Sequence, residues 1–516
     1  MNNKKDLTVK EAFGLAVKNH QNNNLQDAQN YYQQVLKIDP NHIAALNNLG
    51  AIFQRLGENQ KAIKCFEKAI ELNPNYADAH NNLGNVFKGL GEHQNAKSCY
   101  EKAIELNPNY AHAHYNLGNV FKALGEHQKA KSYYEKAIEL DPNYVDAHNN
   151  LGNVFKDLGE HQKAKSCYEK AIEIDPNHIV TYKNLSTLHI RTLDDLEKSI
   201  NLSYKSLKVF HNNSKFIHQS IPLFKLKHDV QQAQYLISKN YKIEGVNEFK
   251  KIGSEILDRT EDNYNKRILL TPFEIDALLP FYKSDYVYKP KVISGSCINM
   301  NKNWQKVEDE YFNSEKQIIY IDDFLSEEAL IELREFCLIS KVWNNEYNNK
   351  YLGSFSDQGF ISPIHLQIAI ELKKELPKLF GPHVIEKFWG FKYDTTQGKG
   401  INIHADFAIH NLNFWITPDE FNNNKNTGGL KIYDAPAPDN WSFKDYNAST
   451  REKIYKFLED NNAKCTNIPY KFNRAVLFNS AYFHETDEID FKDKYEGRRI
   501  NCTYLFGSRM VKQKRT

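Results

Sequence analysis

A 34-residue period governs the first third of this chain and leaves few options for how it folds. The leucine of an Asn-Leu-Gly triplet recurs at Leu49, Leu83, Leu117 and Leu151, and the same frame holds Leu15 before them and Leu185 after them. Prolines keep step at Pro40, Pro74, Pro108, Pro142 and Pro176. A unit of this length cannot bury its apolar face alone, so neighbouring units must stack into a solenoid. Within one unit, Ala79 onward reads as a helix ended by Gly91, and Asn95 to Leu106 reads as a second. Ala96, Cys99, Tyr100, Ala103 and Ile104 have the spacing of one buried helical face. Gly84 allows close approach of the two helices, and Pro108 forces the turn into the next unit.

These residues resemble the tetratricopeptide repeat, with its Leu-Gly, Tyr, Ala and Pro pattern, over residues 8–190. The resemblance implies an all-α right-handed superhelix whose concave face holds an extended peptide or a partner protein. On that face the expected ladder is Asn81, Asn85 and Lys88, repeated as Asn149, Asn153 and Lys156. It recurs in part as Asn119 and Lys122, where Tyr115 replaces the first Asn. Amide side chains pair with a peptide backbone without reading its sequence, and lysines favour acidic ligands. The competing reading is that near-identical repeats merely copy their surface residues. His80, His114 and His148 share one repeat position and read as helix packing, not as a metal array.

The seven cysteines include no C-x-x-C pair. Cys65, Cys99 and Cys167 occupy one repeat slot that Tyr133 fills in the fourth unit, so they read as packing residues and as reduced thiols of a cytoplasmic protein. Lys and Arg number 67 against 65 Asp and Glu, a net of +2, which provides no field for nucleic acid or an anionic membrane. The only basic run is Lys512–Arg515, in a tail at 510–516. No apolar stretch reaches bilayer length, and the polar start lacks the apolar core of a secretory leader. After Leu185 the repeat frame decays. Residues 191–314 read as degenerate capping helices and linker, with amphipathic helices at Asp194 to Val209 and Asp229 to Ser238 and an extended run at Tyr282 to Pro290.

From 315 to 509 the texture changes to short β-rich runs. Ile318 begins a strand, and Ser326 then caps a helix that opens with Glu327 and Glu328. Strands are expected at 388–393, 401–407, 413–416, 429–433, 474–479 and 499–506, in a sandwich or jelly roll. In Ile403-His404-Ala405-Asp406 the His and Asp stand two apart, so on a strand both leave the same face. His484, ending a later strand, supplies a second imidazole. Two His and one carboxylate on one face of an octahedron leave the opposite face open, the arrangement of non-haem Fe(II) oxygenases. A lone H-x-D arises by chance, so what accompanies it matters. Thr427-Gly428-Gly429-Leu430 lies between the two segments, and Arg498-Arg499-Ile500-Asn501 follows the second.

That order resembles the 2-oxoglutarate-dependent oxygenases, on the prolyl 4-hydroxylase and phytanoyl-oxygenase side, over about residues 317–509. The implied fold is a double-stranded β-helix, or jelly roll, with flanking helices. The implied cofactors are Fe(II), 2-oxoglutarate as cosubstrate and O2, and the implied reaction is hydroxylation with release of succinate. By position, His404, Asp406 and His484 would ligate iron, Arg499 would grip the far carboxylate of 2-oxoglutarate, and Tyr393 could bond the same carboxylate. Asn501 stands where the family has Ser, facing the same way as Arg499, and by position joins Arg499 and Tyr393 among the cofactor-binding residues. Arg498 is the rival of Arg499, and strand alternation lets only one of them face inward. His410 reads as a pocket or surface residue, Glu485 as pointing away from the site, and Trp389, Phe391, Phe414 and Trp415 as core aromatics. Two other readings compete: an interaction scaffold with an inert oxygenase-like domain, and a glycosyl- or sulfotransferase, for which no P-loop is present.

Overall fold

The computed structural model describes residues 7–213, 220–260, 267–347, 349–394, 400–442, 444–448 and 451–509. The basic tail at 510–516 lies outside them. The chain divides into two compact units, 1–176 and 177–516.

The described residues of the first unit form helices and the turns between them. Five helical hairpins follow one another: Val9–Gln21 with Leu25–Ile38, Ile43–Arg55 with Asn59–Leu72, Ala77–Gly89 with His93–Leu106, Ala111–Ala123 with His127–Leu140, and Val145–Asp157 with His161–Ile174. Gly57, Gly91, Gly125 and Gly159 turn each of the last four hairpins at positive φ. Where the two helices of a hairpin meet, Gly84, Gly118 and Gly152 lie under the rings of Tyr100, Tyr134 and Tyr168. A Cβ on Gly152 would stand 2.6 Å from the Tyr168 ring. These tyrosines are fully buried.

Their hydroxyls engage one member of the expected amide ladder in each repeat. Tyr100, Tyr134 and Tyr168 donate to the Oδ1 atoms of Asn85, Asn119 and Asn153 at 2.8, 2.7 and 2.9 Å. Asn81 and Asn149 are buried, and Asn81 Oδ1 accepts from Asn116 Nδ2 at 3.1 Å. Lys88 Nζ donates to Asn116 Oδ1 at 3.4 Å, and burial pulls the Lys88 and Lys122 ammonium groups below their ordinary range. Lys156 is half-buried. The ladder therefore ties repeat to repeat, because a half-buried amide must find a partner whether or not a ligand is present. His80, His114 and His148 bond the carbonyls of Pro74, Pro108 and Pro142 at 3.1, 2.9 and 2.9 Å, clamping the inter-repeat turns.

The second unit begins with two further paired helices, Ile179–Thr192 and Leu196–Asn213. Leu223–Ser238 is longer than its amphipathic stretch suggested, and Val246–Asp258, Pro272–Lys283 and Trp304–Asn313 follow in a region without motifs. Thr271 and Glu274 form a capping box with Pro272 at the first helical position. Leu226, Val230, Phe249, Leu278 and Phe281 from these helices join one apolar cluster with Phe336, Phe388, Leu412, Phe414 and Tyr504.

Among the described residues the strands, in chain order, are β1 (Ser220–Pro222), β2 (Arg267–Leu269), β3 (Ile318–Ile321), β4 (Asn345–Tyr347), β5 (Tyr351–Phe355), β6 (Ile385–Tyr393), β7 (Ala408–Trp415), β8 (Leu430–Pro436), β9 (Cys465–Ile468), β10 (Ala475–Asn479), β11 (Tyr482–Thr486) and β12 (Ile500–Ser508). β1 and β2 pair as a separate ribbon, a seven-stranded antiparallel sheet runs β3-β10-β7-β12-β6-β5-β4, and β11-β8-β9 form a second antiparallel sheet. One face of the large sheet joins the helices through Phe388, Leu412, Phe414 and Tyr504. The other, with Trp389, Phe391, Tyr393, Trp415, Val476 and Phe478, shares a core with Leu430, Ile432 and Ile468 of the small sheet. The strand expected at 401–407 is not one. That segment makes a single antiparallel bridge, His404 to His484. Among the described residues no helix is long and apolar enough to cross a membrane.

Candidate metal centre

His404 and Asp406 reach the site without strand geometry, because individual backbone bonds hold their segment. His404 N–H donates to His484 O at 3.0 Å and His484 N–H returns the bond to His404 O at 2.8 Å. Asp406 N–H donates to Ser480 O at 3.0 Å, and Ala405 N–H to Tyr446 O at 3.0 Å. The two imidazoles thus stand side by side, ring centroids 4.3 Å apart. Their Nδ1 atoms face the carbonyls of Asn402 (2.8 Å) and Tyr482 (3.0 Å). A carbonyl can only accept, so Nδ1 is the donor in each ring and Nε2 is the nitrogen turned toward Asp406. Nε2 of His404 lies 3.9 Å from Asp406 Oδ1, and Nε2 of His484 lies 3.5 Å from Asp406 Oδ2.

One donor atom from each of the three residues falls within 4.8 Å of the others, and this is the only such group of metal-capable side chains among the described residues. Ligand atoms about 2.1 Å from a shared ion, at right angles, stand roughly 3 Å apart. The donors here are spaced somewhat more widely, at 3.5 and 3.9 Å for the two imidazole–carboxylate pairs. Burial pushes the Asp406 carboxyl up, with His404, Arg509 and Asn411 opposing, and burial together with His404 pushes His484 well below its usual range. A buried carboxylate facing two neutral imidazoles is a donor set that a divalent cation completes. Asn411 Nδ2 donates to Asp406 Oδ2 at 2.6 Å, an orienting contact that no motif in the sequence announced.

The same cleft is lined by Trp389, Phe391, Tyr393, Thr486, Arg499 and Asn501 beside the three donors. Arg499, 1 % exposed, lies over the rings of Tyr393 and Trp415. Its Nε donates to Gly428 O at 2.6 Å and Nη2 to Gly429 O at 3.4 Å, while Nη1 meets no hydrogen-bond partner. This gives the Gly-Gly pair its role: a Cβ on Gly429 would stand 1.8 Å from Ile468 O, so only glycine lets these carbonyls reach the guanidinium. Arg498 goes elsewhere. Its Nε and Nη2 donate to Gln231 Oε1 at 3.1 and 2.8 Å, and Nη1 lies 3.5 Å from Asp394.

The remaining candidates lie away from the donors. His410 on β7 bonds the Tyr311 hydroxyl at 3.1 Å and packs on His383. Glu485 accepts from the hydroxyls of Tyr433 (2.8 Å) and Tyr455 (2.9 Å). Phe414 belongs to the core on the helical side of the sheet, and Trp415 packs beside Arg499.

Comparison with known proteins bears on the first unit. Tetratricopeptide repeat models match residues 19–75, 41–108, 75–143 and 145–178. Among solved structures, MamA protein is 31% identical, with a TM-score of 0.29, covering 33% of this chain and 92% of that one. YrrB, described as a repeat protein with an unusual peptide-binding site, is 22% identical with a TM-score of 0.30, over 35% of this chain and 93% of its own. PilF of Pseudomonas aeruginosa is 21% identical with a TM-score of 0.36, over 40% and 93%. No curated protein matches the chain. Residues 19–178 are tetratricopeptide repeats.

Proposed function

We propose that the chain binds a peptide or protein through its repeats and carries, in its second unit, an Fe(II)- and 2-oxoglutarate-dependent oxygenase of jelly-roll type that hydroxylates a substrate. The interaction part has the firmer support, since the matching family models cover the repeats, and stacked repeats build extended concave binding surfaces. The catalytic part is carried by one observation: three donors from two distant segments converge within 4.8 Å in a cleft, with Nδ1 of both imidazoles engaged by backbone carbonyls.

Fe(II) bound by His404, Asp406 and His484 would supply the redox chemistry that couples O2 and 2-oxoglutarate to hydroxylation. The protein's own groups hold and orient. The unpartnered Nη1 of Arg499 suits the far carboxylate of 2-oxoglutarate, since a buried guanidinium gains most from a charge-assisted bond. The Tyr393 hydroxyl, buried beside Arg499 and Thr486, is placed to add a second. Trp389 and Phe391 wall the cleft against water.

A second reading, a binding scaffold whose second unit is inert, is favoured by two facts. The matching models stop at 178, and Arg499 already spends two donors on backbone carbonyls. Succinate release from 2-oxoglutarate with Fe(II) and ascorbate separates the readings. Wild type should turn over, and His484→Ala should lose at least about a hundredfold, more than an outer-shell change costs. Wild type that neither releases succinate nor binds Co(II) establishes the scaffold.

A further inference from the structure

The cleft contains a feature that its donors alone do not require. Three asparagines and a threonine, Asn411 and Asn413 on β7 with Asn501 and Thr503 on β12, are each at most 4 % exposed on a sheet face that is otherwise aromatic and aliphatic. β7 and β12 are neighbours with Thr503 opposite Asn413, so alternation places all four side chains on the same face. Buried amides of this kind are costly unless bonded, and here they bond in a line. Asn501 Nδ2 donates to Asn413 Oδ1 at 2.9 Å, and Asn413 Nδ2 donates to Asn411 Oδ1 at 2.5 Å. Asn411 Nδ2 then donates to Asp406 Oδ2 at 2.6 Å. Thr503 bridges the first link, accepting from Asn501 at 3.0 Å and donating to Asn413 Oδ1 at 2.6 Å.

The direction of that line is dictated from one end. An ionised Asp406 can only accept, so Asn411 must present its NH2 to it. The Asn411 oxygen must then face Asn413, whose NH2 fills it, and the same logic turns Asn501 with its NH2 inward. What is left over is Asn501 Oδ1, buried without a hydrogen-bond partner at the wall of the cleft. An unpartnered acceptor at the cleft wall suits a water or a substrate N–H or O–H, and it would repel a carboxylate.

We infer that Asn501, Asn413 and Asn411 form a one-way amide relay that sets the orientation of Asp406 and so tunes metal affinity from the far side of the cleft. On this assignment Asn501 is a positioning residue acting through two others. The inference rests on the metal-centre reading above, and none of the three asparagines is among its three donor residues.

The test is Co(II) titration of the full-length chain, followed by the d–d absorption of the bound ion, with folding checked by circular dichroism. Asn411→Ala should weaken Co(II) binding about tenfold or more, as loss of an outer-shell partner does. Asn501→Leu, which keeps the volume but cannot donate, should weaken it several-fold and alter the d–d spectrum, although Asn501 never contacts the ion. In the Asn411→Ala background, Asn501→Leu should have no further effect, because the line is already cut. Asn501→Gln, which keeps donor and acceptor, is the conservative variant if Leu does not fold, and it should recover most of the affinity. Wild type that binds Co(II) while Asn501→Leu binds equally well, or loses equally in both backgrounds, overturns the relay alone. Wild type that binds no Co(II), or His404→Ala that binds as well as wild type, overturns the metal centre and the relay with it.

Discussion

His365 shows how one side chain ties pH to stability here. It is fully buried among Phe336, Phe360 and Phe388, with Nδ1 against the Ser362 hydroxyl at 2.8 Å and Nε2 without a partner. Burial alone pushes it down to about 3. The unfolded chain therefore takes a proton near pH 6.5 that the folded chain refuses until about pH 3. Stability from this group is complete above 6.5 and is lost as pH falls through that window, by about 1.4 kcal/mol per pH unit. Between pH 6 and 4 the urea midpoint of His365→Phe should fall less steeply than that of wild type. An equal slope would show that the ring accepts its proton while folded. Nothing in Ser362-Pro363-Ile364-His365 reveals this burial, because two of the rings that enclose the imidazole, Phe336 and Phe388, come from distant segments. The grouping of His404, Asp406 and His484 was legible through spacing and order. Asn411 was not, although asparagines at alternate positions 411 and 413 of an otherwise apolar run are the mark of a polar line inside a sheet.

At the scale of elements, the repeats were almost wholly readable because their helices are set by local contacts copied at a fixed period. The turn glycines, the Gly-on-Tyr contact and the helix pairs all follow the triplet frame. The sheets were less so. β4, β5 and β9 have no motif, and the segment 401–407 has alternating apolar residues yet no partner strand along its length, so its side chains are placed by single backbone bonds instead. The repeat frame also allows a paired test, since Gly89 and Gly152 sit in the same kind of helix with different neighbours. A Cβ on Gly89 meets nothing within 4 Å, and the next repeat already has Ala123 at that place; one on Gly152 strikes the Tyr168 ring at 2.6 Å. Gly89→Ala should stabilise by about 0.5–1 kcal/mol through helix propensity. Gly152→Ala should lose about 1–2 kcal/mol net, as overpacking outweighs the same gain. Thermal unfolding followed by helical circular dichroism reads both. A stabilising Gly152→Ala would mean that the tyrosine ring moves aside at little cost.

For the whole molecule, the question is where the second unit must begin. The texture of the sequence changes near 315, but the physical unit starts at 177. Leu226, Val230, Phe249 and Phe281 bury themselves in the same core as Phe336, Phe388 and Phe414. Polar bonds cross the same boundary. Gln232 Nε2 donates to the carbonyls of Leu338 and Ser340 at 3.2 and 3.1 Å, Lys341 Nζ to Ser284 O at 3.0 Å, and Arg498 to Gln231 at 2.8 Å. A fragment of 315–516 would expose that apolar face and strip partners from two buried cations, each a loss of several kcal/mol by itself. Domain stabilities are only about 5–15 kcal/mol, so this fragment should fail to melt cooperatively and should show no near-ultraviolet circular dichroism. A fragment of 177–516 keeps every one of these contacts. It should melt cooperatively and bind Co(II) within about threefold of the full chain, since the repeats contribute no donor to the centre. If instead 315–516 folds and binds the ion, the intervening helices are an appendage to the sheets. If 177–516 folds but loses the ion, the repeats shape the centre by a route that no contact within the second unit accounts for.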